Sequence, residues 1–232
     1  MDKEALKAQA LELFNSKSYE KALRLYLYLA NRGDLTSLAT VGYFYHNGLG
    51  VAQDYSKAIE YYEKASNGGE YSSSFNLGLM YLRGLGVEKD SVKAHKYYLK
   101  SAIKGMPQAQ FDVALMFENG EGCTQNYSEA AFWYEEAAKR GNVEAFNNLG
   151  VLYKEGLGVE QDYKKAYILF KQAAMKNSPQ AQFNLGAMYD QGLGCETNQE
   201  KALEWCRKAS FNGHQKAKDI MHRMQQDGQI VF

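Results

Sequence analysis

The chain has 232 residues, 27 of them basic and 27 acidic, so it carries no net charge and no electrostatic footprint for nucleic acid or an anionic membrane. Only two prolines occur, no Ser/Gly-rich linker marks a hinge, and no apolar run approaches the roughly 18–20 residues that span a bilayer. Three cysteines are an odd count, unpromising for a disulfide framework, and the charged start Met1-Asp2-Lys3-Glu4 is not followed by a signal-peptide apolar segment. A cytoplasmic location is therefore expected, or a secreted or periplasmic one if a signal peptide has been removed.

Residues 3–34 read as a helix pair, with Ala10 and Leu13 on the first helix, a short turn at Asn15–Ser18, and Tyr19, Ala22 and Tyr26 on the second. Residues 35–214 then hold five copies of a 36-residue unit. Gly42, Gly78, Ala114, Gly150 and Gly186 share one column, and Ala58, Ala94, Ala130, Ala166 and Ala202 share another. Self-similarity at this period marks stacked units, each burying its apolar face against its neighbours.

Each unit divides into two helices. The first carries apolar or small residues at the spacing of one helix face, as in Leu38, Val41, Gly42 and Tyr45 or Phe146, Leu149, Gly150 and Tyr153. A glycine inside a helix costs on the order of 1 kcal/mol relative to alanine, so its column implies close approach of a partner helix. A Gly-x-Gly follows (Gly48/Gly50 through Gly192/Gly194) and stops the helix. Asp54, Asp90, Asn126, Asp162 and Asn198 are the expected N-caps of the second helix, and Asn126 with Glu129 makes a candidate capping box. That helix ends at Gly69, Gly105, Gly141, Asn177 and Gly213, and Pro107 and Pro179 suit the first position of the helix that follows. Residues 215–226 supply a last helix, in which His222 replaces the packing glycine and Gln225 the aromatic, giving a capping flank before the tail that ends at 232. The pattern predicts an all-α chain of about thirteen helices. It is one solenoid domain over 1–232, with about six antiparallel helix pairs and a C-terminal capping helix.

Cys123 and Cys195 stand in the column of Val51, Val87 and Val159, and Cys206 in that of Tyr62, Tyr98, Tyr134 and Phe170, so all three read as small core hydrophobes. The recurring Gly-x-Gly joins two helices and lacks the strand that a phosphate loop needs. His95 replaces Ile59 and Leu203 and reads as a packing residue, while His214 and His222 are too far apart for a metal pair on one helix. No catalytic spacing, metal site or cofactor motif emerges. Most of the eighteen tyrosines fall in core columns, with no basic groove to make them a stacking platform.

The run Ala181-Gln182-Phe183-Asn184-Leu185-Gly186-Ala187-Met188-Tyr189…Gly192-Leu193-Gly194 resembles the Sel1-like repeat, a branch of the tetratricopeptide superfamily. The pattern Leu-Gly-x-x-Tyr-x-x-Gly-x-Gly-Val…Asp-x-x-Lys-Ala…Tyr-x-Lys-Ala is met closely in the repeats starting near 35, 71 and 143, and mildly departed from near 107 and 179. The resemblance covers about four-fifths of the chain, and residues 3–34 look more like an ordinary tetratricopeptide unit. It implies a right-handed α/α superhelix whose first helices line a concave groove. Cysteine-rich bacterial members staple each helix pair with a disulfide, and some have been linked to β-lactam binding. This chain lacks that cysteine pattern, so neither property carries over.

On the first helices, the stripe opposite the packing face contains a ladder of short polar residues, Thr40, Asn76, Asp112, Asn148 and Asn184. Beside it runs an apolar column, Tyr43, Leu79, Leu115 and Val151, with Arg83 at one flank and Glu118, Glu144 and Glu155 further along. By resemblance to tetratricopeptide grooves, Asn76, Asn148 and Asn184 would hold the backbone of an extended peptide. Amides that solvate a surface or bridge adjacent helices are the alternative reading. The expected function is a non-enzymatic adaptor that binds a protein or peptide in the groove, as a monomer or as a dimer through its terminal helices. A second reading is an inhibitor or immunity-type protein that occludes a folded enzyme. A hydrolase acting on β-lactams or cell-wall peptides is a third, and it lacks a visible nucleophile–base pair.

Overall fold

The computed structural model describes residues 2–227, so the expected tail beyond them lies outside the described residues. Among these the chain forms thirteen α-helices and no strand. They are α1 (Lys3–Asn15), α2 (Tyr19–Ala30), α3 (Leu35–Asn47), α4 (Tyr55–Asn67), α5 (Tyr71–Arg83), α6 (Ser91–Ile103) and α7 (Pro107–Asn119). There follow α8 (Tyr127–Lys139), α9 (Val143–Glu155), α10 (Tyr163–Met175), α11 (Pro179–Gln191), α12 (Gln199–Phe211) and α13 (Gln215–Gln226). The chain divides into two compact units. One runs to Ala109 and includes Glu121–Thr124, and the other holds Gln110–Gly120 and the residues from Gln125 onward. In each, consecutive helices pack as pairs around a buried apolar seam.

The repeat columns account for the packing. In the first unit Gly42 and Gly78 lie under the rings of Tyr62 and Tyr98, where an added Cβ would stand 2.7 Å from a ring carbon. In the second unit Gly150 faces Phe170 at 2.8 Å in the same way. Ala58, Ala94, Ala130 and Ala166 are fully buried beside these rings. Volume removed from one helix is thus filled by an aromatic side chain from its partner, as close packing requires.

The loop inside each repeat is closed by one residue acting twice. Asp54 accepts from the Lys57 amide at 3.0 Å, capping α4, while its own amide donates to the Tyr45 carbonyl at 2.9 Å. Asp90, Asp162 and Asn198 repeat both bonds. At Asn126 the side chain accepts from Ser128 and Glu129, but its amide is taken by the Phe117 carbonyl at 2.8 Å. The reciprocal half of the expected capping box is therefore not formed. The lysine three residues past the cap places its ammonium over a first-helix tyrosine, with Lys57 5.3 Å from Tyr45 and Lys93 5.1 Å from Tyr81.

A second capping column escaped the sequence reading. Asp34, Glu70, Asn142, Ser178 and His214 each accept from a first-turn amide of the first-type helix that follows. Asp34 is the most heavily used of them. Its side chain is 4% exposed, receives the Lys3 and Lys7 ammonium groups at 2.8 and 2.7 Å, and accepts from the Ser37 amide at 2.9 Å. Burial alone would raise its pKa, but these donors hold the carboxyl well below the usual carboxylate range.

Candidate functional site

The expected groove residues divide by their bonding. In the first unit, Thr40, Tyr43 and Asn76 line one cleft of about 320 Å³ with Leu11, Phe14 and Glu70. Helices α1, α3 and α5 bring them together. Tyr43 is 45% exposed and Leu11 53%, so the cleft has an uncovered apolar floor. Thr40 spends its hydroxyl on the Thr36 carbonyl at 2.9 Å. The half-buried Asn76 carboxamide makes no hydrogen bond among the described residues. Glu70 is held at the cleft by Ser72 and Ser73, whose amides donate to its carboxylate at 3.1 and 2.6 Å. Leu79 is half-buried and Arg83 exposed, and neither lines this cleft.

In the second unit the asparagines are already engaged. The buried Tyr134 hydroxyl donates to the Glu118 carboxylate and accepts from Asn148 Nδ2 at 3.0 Å. Asn148 Oδ1 accepts from Asn147 Nδ2 at 3.2 Å, and Asn147 Oδ1 accepts from Asn184 Nδ2 at 2.9 Å. Five side chains thus form one chain of bonds from α7 to α11. Burial and the Glu118 carboxylate push the Tyr134 phenol far above its usual range, so it stays protonated as the donor. Asp112, Leu115 and Val151 are half-buried. Asn147 is the participant that the sequence reading missed, because its neighbour Asn148 carried the repeat pattern. Tyr134→Phe is expected to cost about 1–2 kcal/mol, since it leaves Glu118 and Asn148 without a shared partner. Urea unfolding checks this.

Among the described residues, no three His, Cys, Asp or Glu side chains gather as metal ligands, and no helix is long and apolar enough to cross a membrane. All three cysteines are free and half-buried, and burial raises the pKa of each thiol. His214 Nδ1 accepts from the Ala217 amide at 3.2 Å, so its expected turn position conceals a capping role.

The profile of the Sel1 repeat matches residues 16–34, 37–70, 72–106, 107–142, 143–178 and 179–214. The chain belongs to the Sel1 repeat family. Six segments match where five full repeats were expected, because the profile also claims the second half of the N-terminal pair. A Sel1 repeat protein from Oxalobacter formigenes has a crystal structure similar to this chain, with 32% identity, 89% of this chain and 85% of the other covered, and a TM-score of 0.85. A protective antigen of uropathogenic Escherichia coli strains, displaying an SLR fold, is 27% identical with a TM-score of 0.87. That match covers 99% of this chain and 52% of the antigen, so the chain spans about half the antigen's length. No curated protein matches the chain. Sel1 repeats are generally scaffolds for protein interaction rather than catalysts, and the all-α stack of helix pairs agrees with the solved relatives.

Proposed function

We propose that this chain is a non-catalytic adaptor that binds an extended segment of a partner protein through the first helices of its repeats, chiefly at the cleft of the first unit. The observation that carries this reading is Asn76. A half-buried carboxamide with no hydrogen bond among the described residues stands beside an uncovered floor of Leu11 and Tyr43. An amide in that position can accept from and donate to a peptide backbone, while the floor takes an apolar side chain. Asn148 and Asn184 each already hold a scaffold bond, to Tyr134 and to Asn147, so less of their hydrogen-bonding capacity is left for a segment than at Asn76.

The test begins with selection of peptides from a displayed random library on the purified chain. Selected synthetic peptides are then titrated against wild type, Asn76→Ala and Tyr43→Ala. About tenfold weaker binding is expected from loss of the Asn76 bonds, and a similar loss from removal of the Tyr43 ring, with unchanged unfolding midpoints. Peptides that bind all three proteins equally would place recognition elsewhere and overturn the reading.

A further inference from the structure

The last repeat lacks the ring that fills its sisters. Cys206 stands in the column of Tyr62, Tyr98, Tyr134 and Phe170. The atoms nearest a Cβ on Gly186 are the Ala202 carbonyl oxygen at 3.1 Å, the Cys206 amide nitrogen at 3.5 Å and the Trp205 Cβ at 3.6 Å, with no ring among them. The neighbouring phenylalanine column reports the same vacancy. Phe75 packs on Tyr98 at 5.2 Å and Phe111 on Tyr134 at 5.7 Å, but Phe183 stacks on the His214 ring at 4.3 Å. Helix α13 covers the place without filling it. A cavity of about 440 Å³ remains, lined by Phe183, Gly186, Asp190, Cys206, Ile220 and Met224. Its size and largely apolar lining suit a small organic ligand.

Two side chains in the lining, Asp190 and Gln199, are strongly polar, and Asp190 makes the vacancy specific. Asp190 lies 72 positions after Glu118, as Cys206 does after Tyr134, so the carboxylate that receives the Tyr134 hydroxyl has a counterpart at the cavity. The Asn148 column is occupied there by Ile220, so of the two partners of that hydroxyl only Glu118 has a polar counterpart. We propose that this cavity binds a free single-ring phenol, its ring lying in the cavity against Gly186 and the Cys206 side chain and its hydroxyl donating to the exposed Asp190 carboxylate. The site is independent of the first-unit cleft and takes a different class of ligand. Burial raises the Cys206 thiol pKa, so the thiol stays neutral and presents an apolar wall.

The test uses p-cresol, the tyrosine side chain as a free molecule, titrated calorimetrically against the full chain with toluene as its counterpart lacking the hydroxyl. Saturable binding at one site is expected, at least tenfold tighter for p-cresol than for toluene. Cys206→Tyr, which restores the ring, is expected to abolish binding and raise the Tm by roughly 2–4 °C. Asp190→Asn is expected to weaken p-cresol about tenfold and leave toluene unchanged. A readout on wild type guards against misfolded variants: p-cresol should slow alkylation of Cys206 by iodoacetamide while Cys123 and Cys195 react as before. Binding that persists in Cys206→Tyr, toluene binding as tight as p-cresol, or equal slowing at all three cysteines would overturn the assignment. Tighter binding of a blocked Gly-Tyr-Gly peptide than of p-cresol would also overturn it, in favour of a tyrosine on a partner protein.

Discussion

Gly194→Ala is expected to destabilise the protein by about 3–4 kcal/mol, although it adds one methyl group. The residue sits at φ +71°, a left-handed conformation that costs a non-glycine residue roughly 1–2 kcal/mol. The added carbon would also overlap the Tyr163 carbonyl oxygen and stand 2.5 Å from its carbon, at the start of α10. Backbone cannot rotate away as a side chain can, so overpacking contributes a further 1–3 kcal/mol. Gly213→Ala is the matched control: at φ +100° it pays the conformational cost, but nothing lies within 4 Å of its Cβ. It should lose only about 1 kcal/mol. The difference between the two urea midpoints measures the docking of one repeat's loop onto the preceding second helix. Equal losses would mean that the loop does not need that close approach.

Asp34→Ala is the other large effect, about 3 kcal/mol, because it removes the α3 cap and leaves the Lys3 and Lys7 ammonium groups without their shared acceptor. The pH dependence follows from the direction of each shift. The Asp34 pKa is lower in the folded chain than its unfolded value of about 4, so its contribution is complete above that value and fades as the pH falls below it. The Lys7 pKa is raised above 10.5, chiefly by its hydrogen bond to Asp34, so that contribution is complete below 10.5 and fades at more alkaline pH. Thermal unfolding between pH 2 and 7 should show a steeper acid limb for wild type than for Asp34→Ala. Parallel curves would remove the carboxylate from the account.

Much of this architecture was legible because backbone geometry restricts residue type. Glycine at Gly48 or Gly192, Asn177 in the left-handed region, and Asp or Asn at 54, 90, 126, 162 and 198 each satisfy a local rule that recurs every 36 residues. The other capping column was hidden by its variety, since aspartate, glutamate, asparagine, serine and histidine all accept from an amide there. The candidate surface was legible only as positions. Asn76, Asn148 and Asn184 are the same residue in the same column, yet one is unengaged and two are bound to the scaffold. That difference comes from Tyr134 and Asn147, which only the packed helices bring near. The substitution at Cys206 was visible as well. Its consequence was not, because the sequence does not show that α13 leaves the place of the missing ring open.

The contacts between neighbouring repeats have a common reach. Gly194 meets Tyr163 from 31 positions away, Asn212 donates to Gln182 from 30, and Asn184 donates to Asn147 from 37. Each repeat thus meets its partners within about one unit of chain already made. During synthesis from the N-terminus, a newly emerged helix pair can settle against its predecessor without waiting for residues far downstream. Stacked repeats with nearest-neighbour interfaces grow in this way, and their local contacts favour rapid folding. A nascent chain would hold exposed apolar surface mainly at its growing end, where the next pair is about to cover it.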